Sequence, residues 1–187
     1  MAQSEIDYTG LSKREERALR RLYKDYDYKY GKRGYFGQVS VDASYYIYKG
    51  FLLNDMMYGV DVVNGYSFGP HFDLGGGIGF YCQPNSAKNK RYYIAPLFVY
   101  TRVNILQRKV TPYIAAKLGW GYAWGGDVDC SDDDCRRING LSTYSAGELG
   151  VKVHLPKGMA LTVGVSSSLY FIPLFASSLG VNVGFTW

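Results

Sequence analysis

Apolar and polar residues alternate along most of this chain, from about residue 35 to the last residue, Trp187. This period of two indicates β-strands, because successive side chains of a strand point to opposite faces. Several predicted strands reach the roughly 9–11 residues that a tilted strand needs to cross a bilayer. We predict eight strands, at residues 35–49, 57–68, 71–83, 91–105, 109–124, 143–155, 158–170 and 173–187.

The last two predicted strands separate large apolar residues from small polar ones. The large face carries Leu161, Val163, Val165, Val181, Val183, Phe185 and Trp187. The small face carries Thr162, Gly164, Ser166, Ser168, Asn182, Gly184 and Thr186. Lysines and glutamates that would solvate the outer wall of a soluble barrel are largely missing. Small polar residues inside and large apolar ones outside are typical of a transmembrane β-barrel, whose closed sheet pairs all backbone groups.

The connections between the predicted strands alternate in length. Tight ones lie near residues 69–71, 106–109 and 156–158, whereas those at 50–56, 84–90 and 125–142 are loose and the one near 171–173 is short. Outer-membrane barrels have short periplasmic turns and longer outside loops. This arrangement predicts an eight-stranded antiparallel transmembrane barrel with both termini in the periplasm. A barrel of this size has an interior filled by side chains.

Titratable residues fall on the inner face of several predicted strands. They are Asp42, Asp61, Asp73, Arg102, Lys117, Glu148 and Lys152. Both signs of charge are present, and a buried charge without a partner would cost several kcal/mol. We therefore expect a polar network in which the three cations pair with Glu148, Asp61 and Asp73. Such a network would plug and stiffen the barrel; the alternative is a gated path for ions or protons.

A short basic helix is predicted before the barrel. Ser12 could cap it, with Glu15 as the reciprocal partner three residues later. The net charge of +5 is concentrated in this part of the chain. We divide the chain into a periplasmic segment, residues 1–34, and a barrel, residues 35–187. Cations mixed with tyrosines could also form a nucleic-acid arm, but a helix near anionic headgroups is favoured, and no nucleic-acid partner is expected.

The cysteines and the N-terminus bear on the cellular compartment. The chain has 3 cysteines, and Cys130 and Cys135 are close enough to close a small disulfide loop, which requires an oxidising compartment. Cys82 is left unpaired. The first residues lack the apolar core of a signal peptide, so either the protein is cytosolic or a signal peptide has been removed. The cysteines favour the second interpretation.

Acidic residues crowd the same loop. Asp127, Asp129 and Asp133 are weak candidates for binding calcium, which prefers oxygen ligands. Their order does not match an EF-hand loop. We therefore favour an acidic surface loop and expect no metal and no cofactor.

Catalytic motifs are lacking. No nucleophile elbow, phosphate-binding loop or zinc-ligand spacing is present. The sequence has 2 histidines, His71 and His154, and both fall near periplasmic strand ends. Lipid-modifying barrels need a histidine and a serine near the outer leaflet. We predict that the protein is not an enzyme.

Aromatic residues mark the two expected membrane interfaces. Trp120, Tyr122 and Trp124 would lie at the outer interface, and Trp187, with Phe68 and Phe72, at the periplasmic one. Aromatic rings favour headgroup level because they have an apolar body and a polar edge. A cluster in a soluble core is the alternative.

Several stretches together resemble the small outer-membrane β-barrel domain family of Gram-negative bacteria. They are "VDVVNGYSFGPHFDLGGGIGFY", "APLFVYTRVNIL", "KVTPYIAAKLGWGY" and the closing "VNVGFTW". The resemblance covers residues 35–187 and implies an eight-stranded barrel of the OmpA or OmpX type. It also implies insertion by the outer-membrane assembly machinery, which would recognise Val183, Phe185 and Trp187 in the closing strand. The basic helix and "CSDDDC" are not part of the shared pattern.

These observations predict an integral outer-membrane protein with a structural or surface-interaction role. Its partners would be outer-membrane lipid, the assembly machinery, and a protein that binds the outside loops or the N-terminal helix. The alternatives are a narrow channel for ions or small solutes and a soluble, lipocalin-like barrel that binds a small ligand.

Overall fold

The computed structural model describes residues 12, 14–15, 33–48, 51–85, 90–127, 137–171 and 175–187. Apart from a short 3-10 turn at Pro156–Gly158 and a helical turn at the N-terminus, the described chain is built from β-strands. The strands are β1 (Gly34–Tyr48), β2 (Phe51–Ser67), β3 (Phe72–Asn85), β4 (Lys90–Asn104), β5 (Val110–Asp127), β6 (Arg137–His154), β7 (Ala160–Phe171) and β8 (Phe175–Thr186). The prediction of eight strands is confirmed.

The strands form one closed antiparallel barrel in sequence order. Closure joins β1 to β8, with Gln38 opposite Thr186 and Asp42 opposite Asn182. The last residue also belongs to this seam, because the backbones of Gly37 and Trp187 exchange two hydrogen bonds of 2.9 and 3.0 Å. The closed ladder leaves no sheet edge among the described strands, as a barrel in an apolar solvent requires.

The two ends of the barrel differ. At what we call the turn end, β1 begins, β8 ends, and the chain reverses through residues 68–71, 105–109 and 155–159. These turns match the tight connections expected from the sequence. Gly158 has a φ of +83° in the last of them, a conformation that glycine adopts without steric cost.

At the opposite end, which we call the hairpin end, the sequence prediction was partly wrong. The loose connection expected at 50–56 is mostly strand, because Phe51 already pairs with Tyr48. The loops expected at 84–90 and 125–142 are shortened likewise, since Asn85 pairs with Lys90 and Asp127 with Arg137. Alternation is required only where the two faces of a strand meet different surroundings. At the hairpin end the backbone hydrogen bonds between strands continue where apolar and polar side chains no longer alternate. The apolar–polar alternation in the sequence therefore ends before the strands do.

The described N-terminal residues support the predicted cap. The Ser12 backbone nitrogen donates to a Glu15 carboxylate oxygen at 3.0 Å, and the Glu15 nitrogen donates to the Ser12 hydroxyl at 3.4 Å. Hydrogen bonding to Ser12 lowers the pKa of the Glu15 carboxyl. The rest of the predicted helix lies outside the described residues. In the part of the chain that is described, no helix is long and apolar enough to span a membrane.

Candidate functional site

The barrel has a polar, charged interior and an apolar exterior. The alternation along each strand produces this arrangement, since inward and outward residues are neighbours in sequence. On β5, Lys117 is 3% exposed while the next residue, Leu118, is 64% exposed. On β6, Glu148 is 3% exposed and Leu149 is 61% exposed. A soluble barrel would show the opposite arrangement.

The seven titratable residues predicted to face the interior are all buried there. They form two ionic clusters and one separate carboxylate. The first cluster lies midway along the barrel and is centred on Lys117. Its ammonium contacts Asp61 at 2.6 Å and also pairs with Glu148. The Tyr81 hydroxyl donates to the same Asp61 oxygen at 2.8 Å, so one cation serves two carboxylates.

The second cluster lies near the turn end and is centred on Arg102 and Asp73. The Arg102 Nε donates to Asp73 Oδ2 at 2.8 Å, and its Nη1 donates to Gln38 Oε1 at 2.7 Å. Lys152 is a second cation for Asp73, with Nζ 3.8 Å from Oδ2. The Ser67 hydroxyl donates to the other Asp73 oxygen. This cluster therefore places two cations around one carboxylate, the reverse of the Lys117 cluster.

Aromatic rings enclose both clusters. The Arg102 guanidinium carbon lies 5.6, 5.7 and 5.9 Å from the ring centres of Phe36, Tyr100 and Tyr113. Lys117 Nζ lies 5.6 Å from the ring centre of Phe98. Cations favour the faces of aromatic rings. The rings therefore stabilise the buried charge and fill the space that water would otherwise occupy.

Asp42 is the separate carboxylate. It accepts a hydrogen bond of 2.5 Å from the Ser166 hydroxyl across the barrel seam. Among the described residues it forms no ion pair. The predicted network therefore divides, and Asp42 belongs to neither ionic cluster.

The uncharged members of these clusters were not predicted from the sequence. Gln38 lies on the same inward face as Asp42, and extending the alternation of β1 toward its start would have identified it. Tyr81 and Tyr144 are both fully buried, and their hydroxyls lie 3.1 Å apart beside Asp61. The alternation predicts that both tyrosines lie on the inward face. It does not predict their contact with each other, because they are 63 residues apart in the sequence.

The predicted aromatic girdle lies on the outer surface. Trp120 is 61% exposed and Tyr122 is exposed, whereas Trp124 is half-buried by the stacked ring of Tyr93, 5.7 Å away. At the turn end, Trp187 stacks on Phe185 at 6.2 Å. Phe68 and Phe72 form a second pair there, with ring centres 6.0 Å apart. The outward Val183, Phe185 and Trp187 of the expected insertion signal are all exposed.

The remaining candidates lie at the ends of the strands. Cys130, Cys135, Asp129 and Asp133 fall outside the described residues, and Asp127 is the last residue of β5. Cys82 is a free thiol. Within the described ranges, no group of three or more acidic, cysteine or histidine side chains is arranged to hold a metal ion.

Both histidines lie at the turn end. The His71 ring contacts the Asn104 carbonyl oxygen at 2.8 Å and the Gln107 side chain at 3.1 Å. His154 is the half-buried last residue of β6.

Comparison with solved structures places the fold among small membrane barrels. The neisserial surface protein A structure superposes with a TM-score of 0.59 and 14% identity, over 83% of this chain and 97% of the other. The N-terminal barrel of Pseudomonas aeruginosa OprF has a TM-score of 0.52 and 12% identity, over 83% of this chain and 100% of the other. The outer membrane enzyme PagL has a TM-score of 0.52 and 13% identity, over 80% and 97%.

Sequence comparison adds no relative. No protein-family model and no curated protein sequence matches this chain. The evidence on fold is therefore structural: eight antiparallel strands in sequence order, closed between β1 and β8, as in the small barrels above. This chain has the fold of the small eight-stranded outer-membrane β-barrels.

Proposed function

We propose that this chain is an integral outer-membrane protein whose filled barrel holds the hairpin end at the cell surface as an interaction surface. The observation that carries the proposal is the inverted polarity of the barrel: ion pairs and other polar side chains lie in the interior, and large apolar side chains cover the exterior. Exposed leucine and valine side chains on every strand would favour association in water, whereas lipid solvates them. A lipocalin-like soluble barrel would need the opposite arrangement.

Strand length supports an interaction role. An apolar band about 25 Å tall is crossed by roughly 9–11 residues of a tilted strand. Strands β5 and β6 have 18 residues each, so part of each would extend past the band. With the turn end in the periplasm, the extra length projects outward from the cell as paired hairpins. These hairpins would be the surface offered to partners.

The filled interior favours a closed barrel over a channel. Lys117 on β5 pairs with Asp61 on β2, and Arg102 on β4 donates to Gln38 on β1, so both cations join strands that are not neighbours in the sheet. Buried tyrosine rings also occupy the interior. A non-enzymatic role is part of the proposal. Both histidines lie at the turn end, far from the outer leaflet where a lipid-modifying barrel would need one. PagL shows that the fold alone does not decide this point, because that neighbour is an enzyme.

Assembly would follow the route that the closing strand suggests. The outward Val183, Phe185 and Trp187 of the last strand present an alternating apolar face that ends in an aromatic ring. We propose that the assembly machinery of the outer membrane binds this strand before it pairs with β1.

The test is insertion and conductance. The full chain, refolded into phosphatidylcholine vesicles, is expected to resist carbonate extraction and to migrate differently in a gel before and after heating. In planar bilayers it should give no conductance above leak. A monodisperse protein that stays soluble without detergent would overturn the membrane proposal. Conductance that disappears in Lys117→Ala or Glu148→Ala would replace the closed barrel with a channel.

A further inference from the structure

An apolar groove lies on the outer surface of the barrel near the turn end. It has a volume of about 590 Å³ and crosses strands β1 to β4. Tyr35, Tyr66 and Phe68 border it at the turn end, and Leu74 and Val99 form its sides farther from that end. All five side chains are exposed. The groove therefore continues the apolar exterior.

A glycine run in β3 lies at the groove: Gly75 is among its lining residues, and Gly76 is the next residue of the strand. Gly76 falls on the outward face of β3, opposite Asn64 of β2 and Val99 of β4. A Cβ built at Gly76 would meet only one atom within 4 Å, the Phe98 carbonyl oxygen at 3.9 Å. The outward face of β3 therefore lacks a side chain between Leu74 and Ile78. This gap exposes bare backbone in the middle of an apolar surface.

Polar groups stand beside the groove where a purely apolar lining would be expected. Asn64 points outward, and its Oδ1 accepts a hydrogen bond of 2.5 Å from the Tyr35 hydroxyl. Its amide N–H groups are left as donors on the exposed face. Arg33 is exposed at the turn end, and its Nε donates to the Phe68 carbonyl oxygen at 3.0 Å. No carboxylate in the described part of the chain forms an ion pair with it.

We propose that this groove is a binding site for one phospholipid. An acyl chain lies along Leu74, Gly75 and Val99, the Arg33 guanidinium binds the phosphate, and Asn64 donates to an ester carbonyl. The inference rests on the proposed function, because a phospholipid reaches this face only if the barrel is inserted. The positive charge of Arg33 favours a phospholipid over a second copy of the chain. A symmetric contact between two copies would bring two Arg33 side chains toward each other, whereas a lipid phosphate neutralises the single Arg33 of this chain.

The test compares two glycines on the outer face. Purified protein in detergent is titrated with dioleoyl phosphatidylglycerol and the bound lipid is counted by native mass spectrometry. Gly76→Leu places a large side chain between the lining residues Asn64 and Val99 and should weaken lipid binding about tenfold, since it displaces a few methylene contacts. Gly147→Leu is the matched control, because a Cβ there has no atom within 4 Å and it lies on β6, away from the groove. It should bind lipid as the wild type does.

A third variant tests the charge. Arg33→Gln should weaken binding about fivefold, the effect of removing one cation near an anionic surface. Equal lipid retention by Gly76→Leu and Gly147→Leu would overturn the inference. A dimer that Gly76→Leu dissociates would also overturn it, in favour of a second copy as the occupant. Each variant is first refolded into vesicles: loss of insertion in the wild type contradicts the proposed function, whereas normal insertion without retained lipid contradicts the groove alone.

Discussion

The inner wall of the barrel has two unlike halves. Strands β2 to β6 carry the large and charged inward side chains, among them Arg102, Lys117 and Tyr144. The inward residues of strands β7, β8 and β1 are mainly serine, threonine, glycine and asparagine. The exceptions are Phe36, Gln38, Asp42, Ala160 and Tyr170. The interior is therefore filled mainly from one side.

The difference shows how eight strands enclose large side chains. Tyr113 extends from β5 across the barrel, and its hydroxyl donates to Asn182 Oδ1 at 3.4 Å. A Cβ at Gly164 would lie 2.9 Å from that hydroxyl. Arg102 likewise reaches Gln38 on β1. The strands with small inward residues, β7, β8 and β1, which we call the small wall, make room for the side chains of β2 to β6, which we call the large wall. A substitution should therefore have different effects on the two walls.

The largest effect is expected where the large wall loses its central cation. Lys117→Met leaves Asp61 and Glu148 buried without their shared partner, and we expect the free energy of unfolding to fall by about 3–5 kcal/mol. Reversible urea unfolding in vesicles, followed by tryptophan fluorescence, measures it. Leu118→Met, the outward neighbour, is the control and should be nearly neutral. Adding Asp61→Asn and Glu148→Gln to Lys117→Met should restore most of the loss; no recovery would contradict the ion-pair explanation.

An intermediate effect is expected from enlarging the small wall. A Cβ at Gly184 would lie 2.5 Å from Thr162 Oγ1 and 3.2 Å from the Ser40 Cβ. Gly184→Ala should therefore cost about 1–3 kcal/mol, as overpacking does, in the same unfolding assay. Thr162→Ala removes the nearest atom and should rescue part of the loss. Gly147→Ala, on the open outer face, provides the baseline. If Gly184→Ala changed the free energy of unfolding no more than Gly147→Ala does, the small wall would not be tightly packed and the proposed difference between the walls would be wrong.

The smallest effect is expected at the one carboxylate of the small wall. Asp42→Asn keeps an oxygen that can accept from Ser166, so the free energy of unfolding should change by less than about 1 kcal/mol. The same substitution in the large wall, Asp73→Asn, weakens the pairing of Arg102 and should cost about 3 kcal/mol. Measuring both variants side by side isolates the contribution of the cations. Equal losses would contradict a stabilising contribution of the two cations at Asp73.

The sequence predicted the barrel well and its interior in part. Alternation identified eight strands and the inward face of residues such as Lys117 and Glu148, because a period of two is a local property. It placed the start of β2 near residue 57, whereas the strand begins at Phe51. The backbone ladder there is held by cross-strand hydrogen bonds, which no alternation of side chains records. The sequence predicted one network of six charged residues, whereas the structure divides them into a Lys117 cluster and an Arg102 cluster. The reason is the same, because the pairing of charges depends on the register between strands.

The groove could not have been found from the sequence. A run of three glycines in β3 has many possible roles, and Arg33 is one of many cations near the N-terminus. Tyr35, Leu74 and Val99 border one groove only because strands β1 to β4 lie side by side in the folded barrel.

The sequence by itself determined which side chains face inward and that the exterior is apolar, since both follow from a local period of two. The tertiary structure decided which charges meet. Lys117 pairs with residues 56 and 31 positions away, Arg102 with one 29 positions away, and Asp42 with Ser166, 124 positions away. The stagger of a closed sheet sets these contacts, and stagger is a property of all eight strands together.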